Sequence, residues 1–319
     1  MENMIINIII CFIGLFGLFY GGEKLVNGSV NIATILKVNP QFIAITIIAF
    51  GTSFPELVVS VNAVVDKSPG IAWGNVVGSN ISNILLVIGL ASLIAPLSLR
   101  SETSKANIFW LFFSTLIVFL ICIGTKKISF FNGLTFLFIL VIILSHFTYI
   151  SKKDNTKKEK IDLKNIFSLK KSIFFIFFGV VLLIISAEAV VYSAVKISLI
   201  LGVPETFIGL TIIAIGTSLP EIAASIIAVK KGHAGVAIGN VIGSNIFNTL
   251  GIIGAAAIFS TSGKFLVPTP FLKFDIPIML ISTLLFCSLI YYKFKINRNI
   301  GVIFIISYFL YVFLNLRVN

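Results

Sequence analysis

Two glutamates of this chain stand in copies of one motif. Glu56 closes AFGTSFPE, which begins at Ala49, and Glu221 closes AIGTSLPE, which begins at Ala214. In each copy a Thr, a Glu and a Ser recur at spacings of four, as Thr52, Glu56 and Ser60 and as Thr217, Glu221 and Ser225. On a helix that spacing puts hydroxyl and carboxylate oxygens on one face, with Ser53 or Ser218 on its flank. A second motif, GNVVGSNISN from Gly74 to Asn83, returns as GNVIGSNIFN from Gly239 to Asn248. It adds Ser79 with Asn83 and Ser244 with Asn248, again four apart, so neighbouring helices can aim carboxylate, hydroxyl and amide oxygens into one pocket. Oxygen donors of these kinds suit hard cations such as calcium and sodium. Any single hydroxyl is as well explained by bonding back to a helix carbonyl; it is the mirrored set that points to ions. Pro55 and Pro220 precede the glutamates, and a ring without an N–H there frees the carbonyl of Gly51 or Gly216.

The elements that must hold these residues are membrane helices. The chain has 319 residues, 58% of them hydrophobic and 11% charged, with a mean hydropathy of +1.09, which lies outside the soluble range. Ten apolar stretches are legible, at about 5–26, 40–65, 71–97, 107–124, 130–150, 172–196, 205–229, 234–259, 270–292 and 299–316, each near the roughly 20 residues a span requires. Glu56 and Glu221 fall deep in the second and seventh, where an ionisable group costs about 2.5–3.5 kcal/mol on insertion scales. Little chain remains for a soluble domain. Cys11, Cys122 and Cys287 are far apart and read as small buried hydrophobes. With two histidines and no HExxH, GxSxG or phosphate-cradling loop, an enzyme is not expected, and no organic cofactor is called for. An intramembrane hydrolase built on paired acids is disfavoured because Asp66 and Asp275 lie near loops without repeat partners. The first apolar run lacks the positive flank of a signal peptide.

Both motif pairs are separated by 165 residues, and at that offset, without a gap, 26 of the 47 positions from Ile43 to Gly89 are identical. Glu23 also falls on Glu188 and reads as an interfacial carboxylate beside Lys24, or as an ion-entry group. Five stretches separate the copies; the number is odd, so the second copy crosses the membrane in the opposite sense. The expected fold is all-α, with ten transmembrane helices as two inverted five-helix repeats, the architecture of secondary transporters. The expected units are residues 1–150, a basic connector at 151–171 with eight lysines, and residues 172–319. The matched glycines Gly74, Gly78, Gly89, Gly239, Gly243 and Gly254 read as close helix contacts, and Trp73 and Trp110 as interfacial anchors.

The net charge of +12 follows the positive-inside rule. Placing 151–171 in the cytoplasm leaves both termini outside, with 16 Lys and Arg inside and 7 outside, Lys24 being unassigned. The charge is therefore a topology signal and a contact for anionic lipid, not a nucleic-acid surface.

At these motifs the sequence resembles the calcium/cation antiporter superfamily and, within it, the prokaryotic sodium/calcium exchanger type. GTS(F/L)PE and GNV(V/I)GSNI(S/F)N look like its two alpha repeats, and the likeness covers essentially the whole chain. It implies calcium ligands at Glu56, Glu221, Thr52 and Thr217. It implies sodium ligands also at Ser53, Ser218, Ser79, Ser244 and the carbonyls of Ala49 and Ala214, with Asn83 and Asn248 completing the cluster. Some members, including potassium-dependent ones, carry Asp where this chain has Asn248, so the amide argues against a potassium requirement. The proton-coupled branch has Asn after the Gly of the first motif; this chain does not. The resemblance thus implies an inner-membrane antiporter exchanging Na+ for Ca2+ by alternating access, with H+ coupling on the same fold as the alternative. A passive channel fits broken helices in inverted repeats less well. The expected partners are Ca2+, Na+ and the lipid bilayer, with no obligate protein partner.

Overall fold

The computed structural model of the protein describes residues 2–98, 103–153, 167–202, 214–261 and 263–318. Residues 154–166 of the expected connector and 203–213, which include the first part of the expected seventh stretch, lie outside the described residues.

In lipid every backbone N–H and C=O has to be satisfied within its own segment, and the apolar stretches fold accordingly into helices. The first half runs α1 (Glu2–Leu36), α2 (Pro40–Ile43), a π-helical turn (Ala44–Ile48), α3 (Ala49–Thr52), α4 (Phe54–Val65), α5 (Pro69–Ser82), a second π-turn (Asn83–Val87), α6 (Ile88–Ile94), α7 (Thr103–Thr125), a short strand β1 (Lys127–Ser129) and α8 (Phe130–Lys153). The second half runs α9 (Leu169–Ile200), α10 (Ala214–Gly216), α11 (Leu219–Lys230), α12 (Ala234–Ile246), a π-turn (Phe247–Ile252), α13 (Ile253–Phe259), β2 (Lys264–Leu266), a π-turn (Phe271–Asp275), α14 (Ile276–Tyr291) and α15 (Arg298–Val318). Among the described residues eight helices are long and apolar enough to cross a membrane. They become nine if Pro40–Thr52 and Phe54–Val65, bent by 44°, form one span.

The first stretch runs further than expected. At 35 and 32 residues, α1 and α9 measure about 50 Å at 1.5 Å per residue, well beyond a hydrocarbon core of about 30 Å. They lie antiparallel along a seam of small residues spaced by seven, Gly14, Gly21 and Gly28 against Ser186, Gly179 and Ser172. A β-carbon added at Gly28 would stand 2.7 Å from the Ser172 carbonyl oxygen, and one at Gly21 3.1 Å from that of Gly179. Such close backbone approach is how membrane helices gain packing without a hydrophobic driving force.

The halves also exchange contacts. α6 packs on α15 and α13 on α8, through Gly89 against Gly301 and Gly254 against Gly133. β1 pairs antiparallel with β2, Lys127 opposite Leu266 and Ser129 opposite Lys264, and Leu97 bridges to Ile296 in the same sense.

Two expectations are corrected. Trp73 is not an interfacial anchor: its ring is buried, stacked on Phe265 at 4.8 Å, and its indole N–H donates to the Leu266 carbonyl at 2.8 Å. β2 folds over the start of α5, so protein covers the ring and supplies the acceptor the indole needs. Cys11 is only half-buried, while Cys122 and Cys287 are buried. Asp275, near a loop as expected, ends the π-turn before α14 and is buried; Tyr311 Oη donates to its Oδ1 at 2.8 Å, and Asn315 Nδ2 donates to the same oxygen.

Candidate functional site

The two copies of the first motif break their helices at the same place. α3 ends at Thr52 and α4 starts at Phe54, around Ser53 at φ −89°, ψ 7°. α10 ends at Gly216 and α11 starts at Leu219, around Ser218 at φ −87°, ψ 0°. The expected kink with a freed Gly51 or Gly216 carbonyl is thus a full break. Each proline sits in the first turn of a new helix, where no N–H is required. Each glutamate is therefore the third residue of a helix, at the positive end of its dipole. The Ala49 carbonyl accepts from the Ser53 N–H at 3.0 Å and from the Thr52 hydroxyl at 3.4 Å. Ala214 opens α10.

Glu56 and Glu221 are each 1% exposed, and their carboxylates are close enough to feel one another's charge. Ser53 Oγ, from the first half, donates to Glu221 Oε1 at 3.1 Å. The Thr52 hydroxyl reaches Asn240 Oδ1 at 3.4 Å and also lies against Glu221. Thr217, the counterpart of Thr52, is only half-buried. Ser60 and Ser225 each stand four residues after a glutamate in one helix, as the spacing predicted, and each accepts from an asparagine of the second motif. Asn75 Nδ2 donates to Ser60 Oγ at 2.8 Å and to the Glu56 carbonyl at 2.9 Å, and Asn240 Nδ2 donates to Ser225 Oγ at 3.2 Å. Both serines are spent holding the second-motif helices α5 and α12 against α4 and α11.

Ser79, Asn83, Ser244 and Asn248 are buried, and both motif helices turn from α to π beside their last asparagine, at Asn83 and at Phe247. π-turns inside helices concentrate at functional sites. Asn83 Nδ2 donates across the halves to Asn245 Oδ1 at 3.0 Å, and Asn245 Nδ2 donates to the Asn80 carbonyl at 3.2 Å.

Buried polar atoms are normally paired. Here Glu56 Oε2, Glu221 Oε2, Ser79 Oγ, Ser218 Oγ, Ser244 Oγ, Asn83 Oδ1 and both amide atoms of Asn248 have no hydrogen-bond partner in the protein. These are eight of the fourteen buried polar atoms without a partner among the described residues; the other six are on Ser29, Gln41, Asn80, Ser82, Ser151 and Asp275. The sole ion pair among the described residues, Lys231 with Glu23 at 2.8 Å, is elsewhere, so among the described residues no basic side chain pairs with the two carboxylates. Glu23 is half-exposed, and the ammonium of Lys24 beside it lies over the rings of Tyr20 and Phe175.

Asn75, Asn240, Asn80 and Asn245 were not singled out from the sequence. The signal was present, since all four are identical between the copies of the second motif.

The profile of the family described as sodium/calcium exchanger protein matches residues 6–149 and 171–317. A putative antiporter, CaxA of Alkalimonas amylolytica, is 37% identical over 81% of this chain and 82% of its own length. The sodium/calcium exchanger MaX1 of Methanosarcina acetivorans is 28% identical over 95% and 96%. Among solved structures, that of the sodium-calcium exchanger NCX_Mj soaked with Na+ and Sr2+ superposes with a TM-score of 0.81 at 31% identity, covering 96% of this chain and 97% of that one. With the match running through both halves and both motif pairs, the chain belongs to the sodium/calcium exchanger protein family, in its prokaryotic branch.

Proposed function

We propose that this protein exchanges Na+ for Ca2+ across the cell membrane by alternating access, at a site near the bilayer midplane formed by Glu56, Glu221, Thr52, Thr217, Ser53, Ser218, Ser79, Ser244, Asn83, Asn248 and the carbonyls of Ala49 and Ala214. The observation that carries the reading is that both motif copies bury a glutamate with an unpartnered oxygen, alongside unpartnered hydroxyl and amide oxygens of the same motifs, with no basic partner for either carboxylate among the described residues. Two ionised carboxylates match one Ca2+ in charge, and sodium ions can share the same hard oxygens. Competition for those carboxylates couples the two fluxes, with no covalent step and no cofactor.

The proposed frame is ten helices in two inverted five-helix repeats, residues 1–150 and 172–319, joined by a cytoplasmic connector. Its support is pairwise. Gly14 of α1 and Gly179 of α9 are repeat equivalents, and the two helices run antiparallel. Trp110 and His146, bonded at 2.7 Å, are the repeat equivalents of Asp275 and Tyr311, also bonded.

The test is calcium uptake into proteoliposomes driven by an outward sodium gradient. Uptake should require the gradient and reverse with it. Uptake that follows an imposed pH gradient and ignores sodium would replace the reading with proton-coupled antiport.

A further inference from the structure

An asparagine side chain offers an oxygen at one end and an N–H2 at the other, and only the oxygen can ligate a cation. A site that uses Asn83 therefore has to fix which end faces the ion. Asn83 and Asn245 are each 1% exposed, and their contact settles the orientation. Asn83 Nδ2 is committed to Asn245 Oδ1 at 3.0 Å, which leaves Asn83 Oδ1, without a partner in the protein, as the free end. Asn245 is itself held, because its Nδ2 donates to the Asn80 carbonyl at 3.2 Å. The chain of contacts runs from the α5 backbone through an α12 side chain back to the amide that ends the second motif on α5.

We propose that Asn245 is a positioning residue of the ion site, turning the Asn83 carbonyl oxygen toward the transported cation. The proposal rests on the ion-site reading above. The two halves differ on this point. The bond equivalent to Asn83–Asn245 would run from Asn248 Nδ2 to Asn80 Oδ1, and both of those atoms lack partners, while Asn80 Nδ2 donates to Met279 Sδ at 3.5 Å. In this conformation one motif amide is fixed and its mirror equivalent is not.

Partners that orient a metal ligand from behind affect affinity by about 10- to 100-fold when removed. The test is initial calcium uptake in sodium-loaded proteoliposomes for the parent, Asn245→Leu, Asn83→Ala and the double variant. Asn245→Leu, of similar volume, should raise the calcium KM by about tenfold or more. In the Asn83→Ala background the same change should have no further effect, because a residue that acts only through Asn83 has nothing left to orient. An unchanged calcium KM in Asn245→Leu, or fold-changes that multiply in the double variant, would overturn the proposal. If Asn245→Leu does not reach the membrane, Asn245→Ser, whose hydroxyl is too short to reach Asn83, takes its place with the same expectations. Glu56→Gln, run in the same vesicles, separates the two readings: normal transport in that variant removes the ion site itself, and the proposal with it.

Discussion

Glu56 and Glu221 are buried carboxylates that each keep one oxygen without a partner in the protein. Replacing either with Gln keeps the shape and removes the charge. Losing one member of a buried charge interaction costs about 3–5 kcal/mol, so sodium-driven calcium uptake should fall by about a hundredfold or more in Glu56→Gln and in Glu221→Gln. Purified protein should stay folded, and gel filtration together with uptake checks both points. Asn248 makes the converse case. Asn248→Asp adds a third carboxylate to a site with no basic neighbour, which should favour an additional monovalent cation. Uptake measured with and without potassium should become more potassium-dependent than in the parent; superimposable curves would place residue 248 outside the field of the two glutamates. The predicted ligand residues were legible because repetition at a fixed offset marks them independently of any fold. The partners that orient them were not, since Asn83 and Asn245 are 162 positions apart and no local spacing says that they touch. Ser60 and Ser225 show the same limit: the spacing of four gave their helix, but not the donors Asn75 and Asn240 from the next helix.

At the scale of elements, the breaks at Ser53 and Ser218 were written in the sequence by Pro55 and Pro220, although only as kinks. The π-turns at 83–87 and 247–252 were not, since the residues in them are ordinary helix formers. The seam between α1 and α9 gives a stability prediction. A side chain at Gly21 would be driven into the backbone of Gly179 and Leu183, and overpacking of this kind costs about 1–3 kcal/mol. Gly21→Leu should lower the unfolding temperature of the detergent-purified protein by several degrees, whereas Gly70→Ala, with open space around the added carbon, should not. Equal melting curves for Gly21→Leu and the parent would mean that the seam does not bear on stability.

For the whole molecule, lysine placement predicts the sidedness, and the contacts join stretches assigned to one side: β1 with β2, both assigned outside, and Leu97 with Ile296, both assigned inside. What the sequence did not carry is the exchange of partners by which α6 takes α15 and α13 takes α8. In a background without Cys11, Cys122 and Cys287, a membrane-impermeant maleimide should label Lys264→Cys in intact cells and Lys293→Cys only after permeabilisation; the reverse pattern would invert the topology. The pair Glu23–Lys231, reinforced by Asn27 at 3.0 Å from the same ammonium, binds α1 to the end of α11. Its repeat equivalents are Glu188 and Asp66, two acids that cannot pair as Glu23 and Lys231 do. Under the proposed alternating access, a transporter with matched halves would hold its two orientations at equal energy, and this pair would favour the orientation in which it forms. An exposed pair of this kind supplies about 0.2–1 kcal/mol, up to about a fivefold imbalance in resting populations, and salt screens it. Rising ionic strength, supplied by an impermeant inert salt, should therefore even out the forward and reverse exchange rates of the parent and leave those of Lys231→Met unmoved. Under the proposed exchange, a single charge pair outside the motif residues would thus give the protein a resting posture.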